Sequence, residues 1–167
     1  PGGTLLLVTS IQGGVYVFDA ATGAPVHALT DKPDYEMTAT SAVDPASKTI
    51  FTTNWSGEGA VVVSDLQSGE KTQNIDKDLA ESGHKFGFPC VDGAGERLAY
   101  RRIDGGGNPC TVIRSIGKTE EEIKVIDGDK ELGLGVPKGF SPGEGNLLLQ
   151  TTFESEETAT SYVTVYD

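Results

Sequence analysis

An all-β fold, a partial β-propeller of about four blade units with the first and last incomplete, is predicted by three features of this sequence. The first is a recurring phrase: an apolar β-branched strand, a small polar turn, then a weaker strand. It reads Val15-Tyr-Val-Phe-Asp19, Ala20-Ala-Thr-Gly23, then Ala24 to Leu29; and again Val61-Val-Val-Ser-Asp65, Leu66-Gln-Ser-Gly69, then Glu70 to Ile75. The sequence ends on a third copy, Tyr162-Val-Thr-Val-Tyr-Asp167. The second feature is a fixed period. Turns open at Asp44, Asp92 and Ser141, in steps of 48 and 49, and a second set of turns carries Gly23, Gly69 and Gly117, in steps of 46 and 48. The third is that no 11-residue segment holds a 3.6-residue apolar period.

A blade is a meander of four strands, a to d, from the central channel outwards. Its a–b and c–d turns lie on the bottom face, and its b–c and d–a links on the top. The first unit, residues 1–31, starts at strand b (Thr4 to Thr9), followed by c (Val15 to Asp19) and d (Pro25 to Thr30). The second, 36–76, is complete: Thr38 to Val43 as a, Thr49 to Thr53 as b, Ala60 to Ser64 as c and Lys71 to Ile75 as d. Its a–b turn, Asp44-Pro45-Ala-Ser-Lys48, has the chemistry of a type I turn. The stretch Lys77 to Ser82 reads as a loop or a single helical turn.

The third unit, 84–127, has Phe86 to Val91, Arg97 to Arg101, Cys110 to Arg114 and Glu122 to Ile126 as its strands. A glycine-rich hairpin loop, Asp104 to Pro109, joins its b and c. The fourth, 133–167, has Gly135 to Phe140, Leu147 to Thr152 and Tyr162 to Tyr166, with no strand d. That makes 14 strands in 167 residues. Open edges at Leu5 and Val163 imply a larger ring of about seven or eight blades, the remaining blades coming from the same or another chain. Pro1 and the single Met37 are expected of a fragment or a processed chain.

Composition restricts the function. The formal net charge of −12 repels polyanions, so direct nucleic-acid binding is not expected, and a basic protein partner is. No stretch reaches the roughly 18 apolar residues of a membrane span. Cys90 and Cys110 fall in different elements and are expected as free, buried thiols, which points to an intracellular site, cytoplasm or nucleus. With two His and two Cys at no ligand spacing, no metal or other cofactor is expected.

Phe18-Asp19-Ala-Ala-Thr-Gly23, Val43-Asp44-Pro45 with Lys48-Thr49-Ile50-Phe51, and Phe140-Ser141-Pro142 resemble WD-repeat and YVTN-type propeller repeats. In those families a Trp-Asp or similar pair ends strand c, and a Ser-Pro-Asp-Gly-Lys-like turn joins a to b. The resemblance covers nearly the whole chain and departs from the pattern in definite ways. Only Gly83-His84 matches the Gly-His of WD repeats, and its strand c ends in Arg114-Ser115. The repeated tryptophan of quinoprotein propellers is missing, since Trp55 is the only one.

Catalytic motifs are lacking: no Gly-x-Ser-x-Gly, Walker-type loop or paired histidines occur. Asp19, Asp44, Asp65 and Asp92 sit at turns, where aspartate caps its own backbone. The expectation is therefore a non-enzymatic protein–protein interaction scaffold of a multiprotein assembly, binding through top-face loops. The candidate contact residues are Tyr35, Trp55, His84, Lys85, Arg102 and Lys138. Two alternatives remain: an enzymatic propeller of lactonase or quinoprotein type with a central-channel site, and a ligand-sensing propeller of a cell envelope.

Overall fold

Strands dominate because each apolar run is short, β-branched and closed by a turn. In the computed structural model they form four separate antiparallel sheets in chain order. The structure describes residues 4–10, 14–30, 40–44, 48–53, 61–117, 122–128, 135–142, 145–154 and 159–166. The first sheet is β1 (Leu5–Thr9), β2 (Val15–Asp19) and β3 (Pro25–Thr30). The second is β4 (Thr40–Asp44), β5 (Thr49–Thr53), β6 (Val61–Asp65) and β7 (Lys71–Ile75). The third is β8 (Lys85–Val91), β9 (Arg97–Ile103), β10 (Pro109–Ser115) and β11 (Glu122–Asp127). The last is β12 (Val136–Phe140), β13 (Leu147–Glu154) and β14 (Ala159–Tyr166).

The order b-c-d, a-b-c-d, a-b-c-d, a-b-c is therefore the one expected. One difference is local. The hairpin of β13 and β14 runs further than its apolar core, to the pair Glu154 and Ala159, because ladder hydrogen bonds need no apolar side chain. Residues Lys77–Glu81 form one short helix, α1.

The sheets stack face to face like the leaves of a fan. Strand side chains alternate between faces, so each sheet can bury both of its faces against neighbours. One apolar cluster joins Val15 and Val17 of the first sheet to Ile50 and Val43 of the second. Another joins Phe51, Val61 and Val63 of the second to Phe86, Leu98 and Tyr100 of the third. A third joins Ala99 and Ile113 to Leu147 and Leu149. Cys90 packs in this last cluster and Cys110 against the preceding one, on opposite faces of the third sheet, and neither is in a disulfide. Burial pushes the Cys90 thiol up to about 12, which makes it a small hydrophobe and not a nucleophile.

The innermost strands lie side by side, β4 beside β8 and β8 beside β12. The Phe88 amide donates to Thr40 Oγ1 at 2.8 Å, tying two of them together. The bottom c–d turns carry glycine at a left-handed position, and at one of them a neighbouring sheet also comes close. A Cβ on Gly69, whose φ is +74°, would stand 2.9 Å from Cδ2 of His27 on the preceding sheet. The equivalent Gly23, at φ +71°, has open space around it.

Gly23→Ala should therefore cost only the left-handed strain of about 1 kcal/mol, and Gly69→Ala distinctly more. Urea unfolding of the two variants measures the difference, and adding His27→Ala should shrink it. Equal losses for Gly23→Ala and Gly69→Ala would refute the close-contact account.

Candidate functional site

The top face of the third unit is where structure and candidate residues coincide. Strand β7 ends at Ile75, and Asp76 turns the chain with a left-handed backbone, φ 58° and ψ 32°, before α1. That turn drives the Asp76 carboxylate into the junction between the second and third sheets. There the Tyr100 hydroxyl donates to its Oδ2 at 2.5 Å. Arg114 donates Nη2 to Oδ1, and Nε to the Tyr100 oxygen at 2.8 Å. Arg102 Nη1 lies 3.9 Å from Oδ2. All four side chains are largely withdrawn from water. Burial first, then the hydrogen bond to Asp76 and its charge, push the Tyr100 hydroxyl far above its usual range.

This cluster fastens the d–a link of one unit to strands b and c of the next. Arg102, a candidate contact residue, is thus engaged inside the protein by Asp76. Asp76, Tyr100 and Arg114 were not singled out from the sequence. The available signal was Arg114 itself: a charge following Val112 and Ile113 in a buried strand requires an acidic partner.

Beyond α1, His84 is half-buried. Its Nδ1 lies 3.1 Å from both the Leu79 carbonyl and Ser82 Oγ. A carbonyl only accepts, so Nδ1 carries the proton, while the Ser82 hydroxyl donates to the same carbonyl at 2.8 Å. With its proton committed there, Ser82 is not a nucleophile activated by His84. The b–c hairpin comes alongside, since a Cβ on Gly105 would lie 3.6 Å from the Ser82 carbonyl. Asp104 is held by the amides of Gly106 and Asn108 and by Asn108 Nδ2. The Asn108 side chain first, then these amides, lower the Asp104 carboxyl below its usual value.

Lys85 opens β8 and is exposed, and Lys138 is exposed within β12 on an innermost strand. Tyr35 and Trp55 lie outside the described residues. Among the described residues no three His, Cys, Asp or Glu side chains gather as a metal site. No helix of the described residues is long and apolar enough to cross a membrane. A cavity of about 380 Å³ lies between the second and third sheets, near the bottom turns, lined by Thr49, Phe51, Gln73, Leu98, Arg114 and Ile116.

The turn aspartates are caps. Asp19 Oδ1 accepts from the amides of Ala21 and Thr22 and the Thr22 hydroxyl, and Asp65 repeats the pattern with Gln67 and Ser68. The Thr22 hydroxyl first, then the amides, lower the Asp19 carboxyl; the Ser68 amide leads at Asp65. At Asp92 burial works upwards but is outweighed by Arg97 and two backbone amides. Arg97 also donates to the Gly145 carbonyl of the next unit at 2.8 Å, which links the bottom turns.

No protein-family model matches this chain, and no curated protein sequence does. Solved structures do. TolB from Acinetobacter baumannii matches with a TM-score of 0.58 at 15% identity over 95% of this chain. The β-propeller domain of Cps50 (Swd1) from Myceliophteria thermophila matches with a TM-score of 0.58 at 13% identity over 97% of it. The chain is a partial β-propeller. It spans 37% of the TolB chain and 51% of the Cps50 chain.

Two tests follow from this chemistry. Asp76→Ala strands two buried guanidinium groups and should cost about 3–5 kcal/mol in urea unfolding, with Tyr100→Phe costing about 1–2. A double-mutant cycle should be non-additive; strict additivity would mean that the cluster is not a unit. Depressed carboxylates stabilise the fold above their ordinary value of 3.8 and cease to do so as pH falls through their lower folded values. Stability should hold above about pH 4 and decline below it, and Asp92→Asn should flatten that decline.

Proposed function

We propose that this propeller segment is a non-enzymatic, intracellular scaffold of a multiprotein assembly that binds a basic protein partner through its top-face loops. The observation that supports this most is the Asp76 cluster. It fixes a d–a link on the top face to the neighbouring unit, so that α1, His84 and the hairpin around Asp104 stand as one preorganised surface. On that surface the Ser82 hydroxyl and the His84 imidazole share one backbone carbonyl, and Asp104 is occupied by its own turn.

The net charge of −12 favours a basic partner and fast encounter at low salt. Lys85, Lys138, Trp55 and Tyr35 supply exposed or aromatic contact chemistry. Arg102 contributes indirectly, by holding Asp76.

Pull-down of the native partner tests the reading. Trp55→Ala and Lys85→Ala should weaken capture, the tryptophan by about 2 kcal/mol, or about 30-fold. Lys48→Ala at a bottom turn should not. Capture should also fall as salt is raised. Loss only in the Lys48 variant would move the interface to the opposite face, and retained capture by all three would remove the top loops from consideration.

A further inference from the structure

The strand ladders place the units in register. Ile50 pairs with Ser64, Leu98 with Arg114 and Leu147 with Tyr166, one equivalent pair in each of the last three units. On the outer strands, His27, Gln73 and Lys124 pair with Val17, Val63 and Ile113, and these positions are equivalent too. The lower half of each junction between sheets therefore receives one residue of each kind. They are His27 with Ser64, Gln73 with Arg114, and Lys124 with Tyr166.

Two of the three junctions fill this space with an aromatic ring. At the first, the His27 ring lies against the Gly69 turn, with three of its atoms within 3.3 Å of where a Cβ would stand. At the third, the Tyr166 ring packs on the apolar cluster, and the Lys124 Nζ lies over it, 5.7 Å from the ring centre. The second junction has no such ring among the described residues. Gln73 stands where the imidazole does. Around Gly117, the counterpart of Gly69, a Cβ would meet nothing within 4 Å. Arg114, in the place of the tyrosine, is turned away to Asp76. The space left is the cavity of about 380 Å³ between the second and third sheets.

The lining limits what fits. Phe51, Val63, Leu98 and Ile116 present apolar surface, and Thr49, Gln73 and Ser115 add hydroxyl and amide groups. A side-chain amide both donates and accepts, so this set suits a ligand with one hydroxyl or amino group. Arg114 is the only charged side chain among the described lining residues, and its charge is met by Asp76. A charged ligand would lose its hydration there without gaining a counter-ion. The volume lies within the roughly 300–1,000 Å³ of small-molecule sites. We propose that the cavity between the second and third sheets binds a small neutral aromatic molecule bearing a hydroxyl or amino group. Its ring takes the place that the His27 and Tyr166 rings fill at the other two junctions. The site lies low in an internal junction, apart from the top-face loops, and stands independently of any protein partner they hold.

Methyl-observed NMR of the full 167-residue chain, titrated with p-cresol, is the test. The probe is the tyrosine side chain as a free molecule. It should shift the methyl signals of Val63, Leu98 and Ile116 saturably, as a single site per chain. Benzoate, a ring of similar size carrying a charge, should bind at least about 10-fold more weakly. Neither readout needs a variant. Gln73 is exposed on β7, so Gln73→Trp should place an indole in the cavity without disturbing the core, and weaken p-cresol binding at least about 10-fold. Asn74→Trp, on the opposite face of β7, should leave binding unchanged. Failure to saturate, shifts confined to other methyls, benzoate binding as tightly as p-cresol, or undiminished binding by Gln73→Trp would each overturn the assignment.

Discussion

Everything in this fold depends on the burial of both faces of a twisted antiparallel sheet. A strand with period-two alternation presents an aliphatic row to each side, and a single sheet can satisfy only half of that demand. The next sheet must therefore offer a matching row, and it does so with strand b. Val15 and Val17 meet Ile50, Val61 and Val63 meet Leu98 and Tyr100, and Ile113 meets Leu147 and Leu149. Short turns keep the strands of one sheet together; their left-handed positions carry glycine, and at some of them the neighbouring unit also comes close. At Gly95, for example, a Cβ would stand 2.7 Å from a carboxylate oxygen of Asp44 on the preceding unit.

Within this apolar scheme the Asp76 cluster is the exception, and its position explains it. Taking a carboxylate and two guanidinium groups out of water is costly, and the geometry offsets that cost with hydrogen bonds from Tyr100 and Arg114. An aliphatic cluster could hold two sheets together equally well, but it would not fix the direction of a link leaving the sheet. The left-handed turn at Asp76 and the carboxylate behind it do so, and α1 follows from that point.

The fold was legible because its signals are local and repeated. Val61 to Val63 is a β-branched run closed by Ser64 and Asp65, Gly69 ends a four-residue turn, and the phrase from Val15 to Gly23 reads the same way. The ends of the long hairpin, Glu154 and Ala159, were not legible, because backbone pairing there carries no side-chain pattern. The interior of the candidate site was hidden for another reason. Asp76, Tyr100 and Arg114 are 24 and 14 residues apart in sequence, and nothing local marks them as partners. At Arg102, which follows a strand in an acidic chain, an intramolecular ion pair is the alternative to an exposed contact that the sequence offers, and the same cluster supplies it, though nothing local names Asp76 as the partner.

The same stacking has a consequence for how the molecule comes apart. The second and third sheets are covered on both faces, and the first and fourth on one only. In an array whose units contact mainly their neighbours, stability is a sum of unit and junction terms, so a sheet held by two junctions outlasts a sheet held by one. Amide protons of β9 and β10, in a sheet with a junction on each face, should therefore exchange slowly, with persistent order centred on Tyr100.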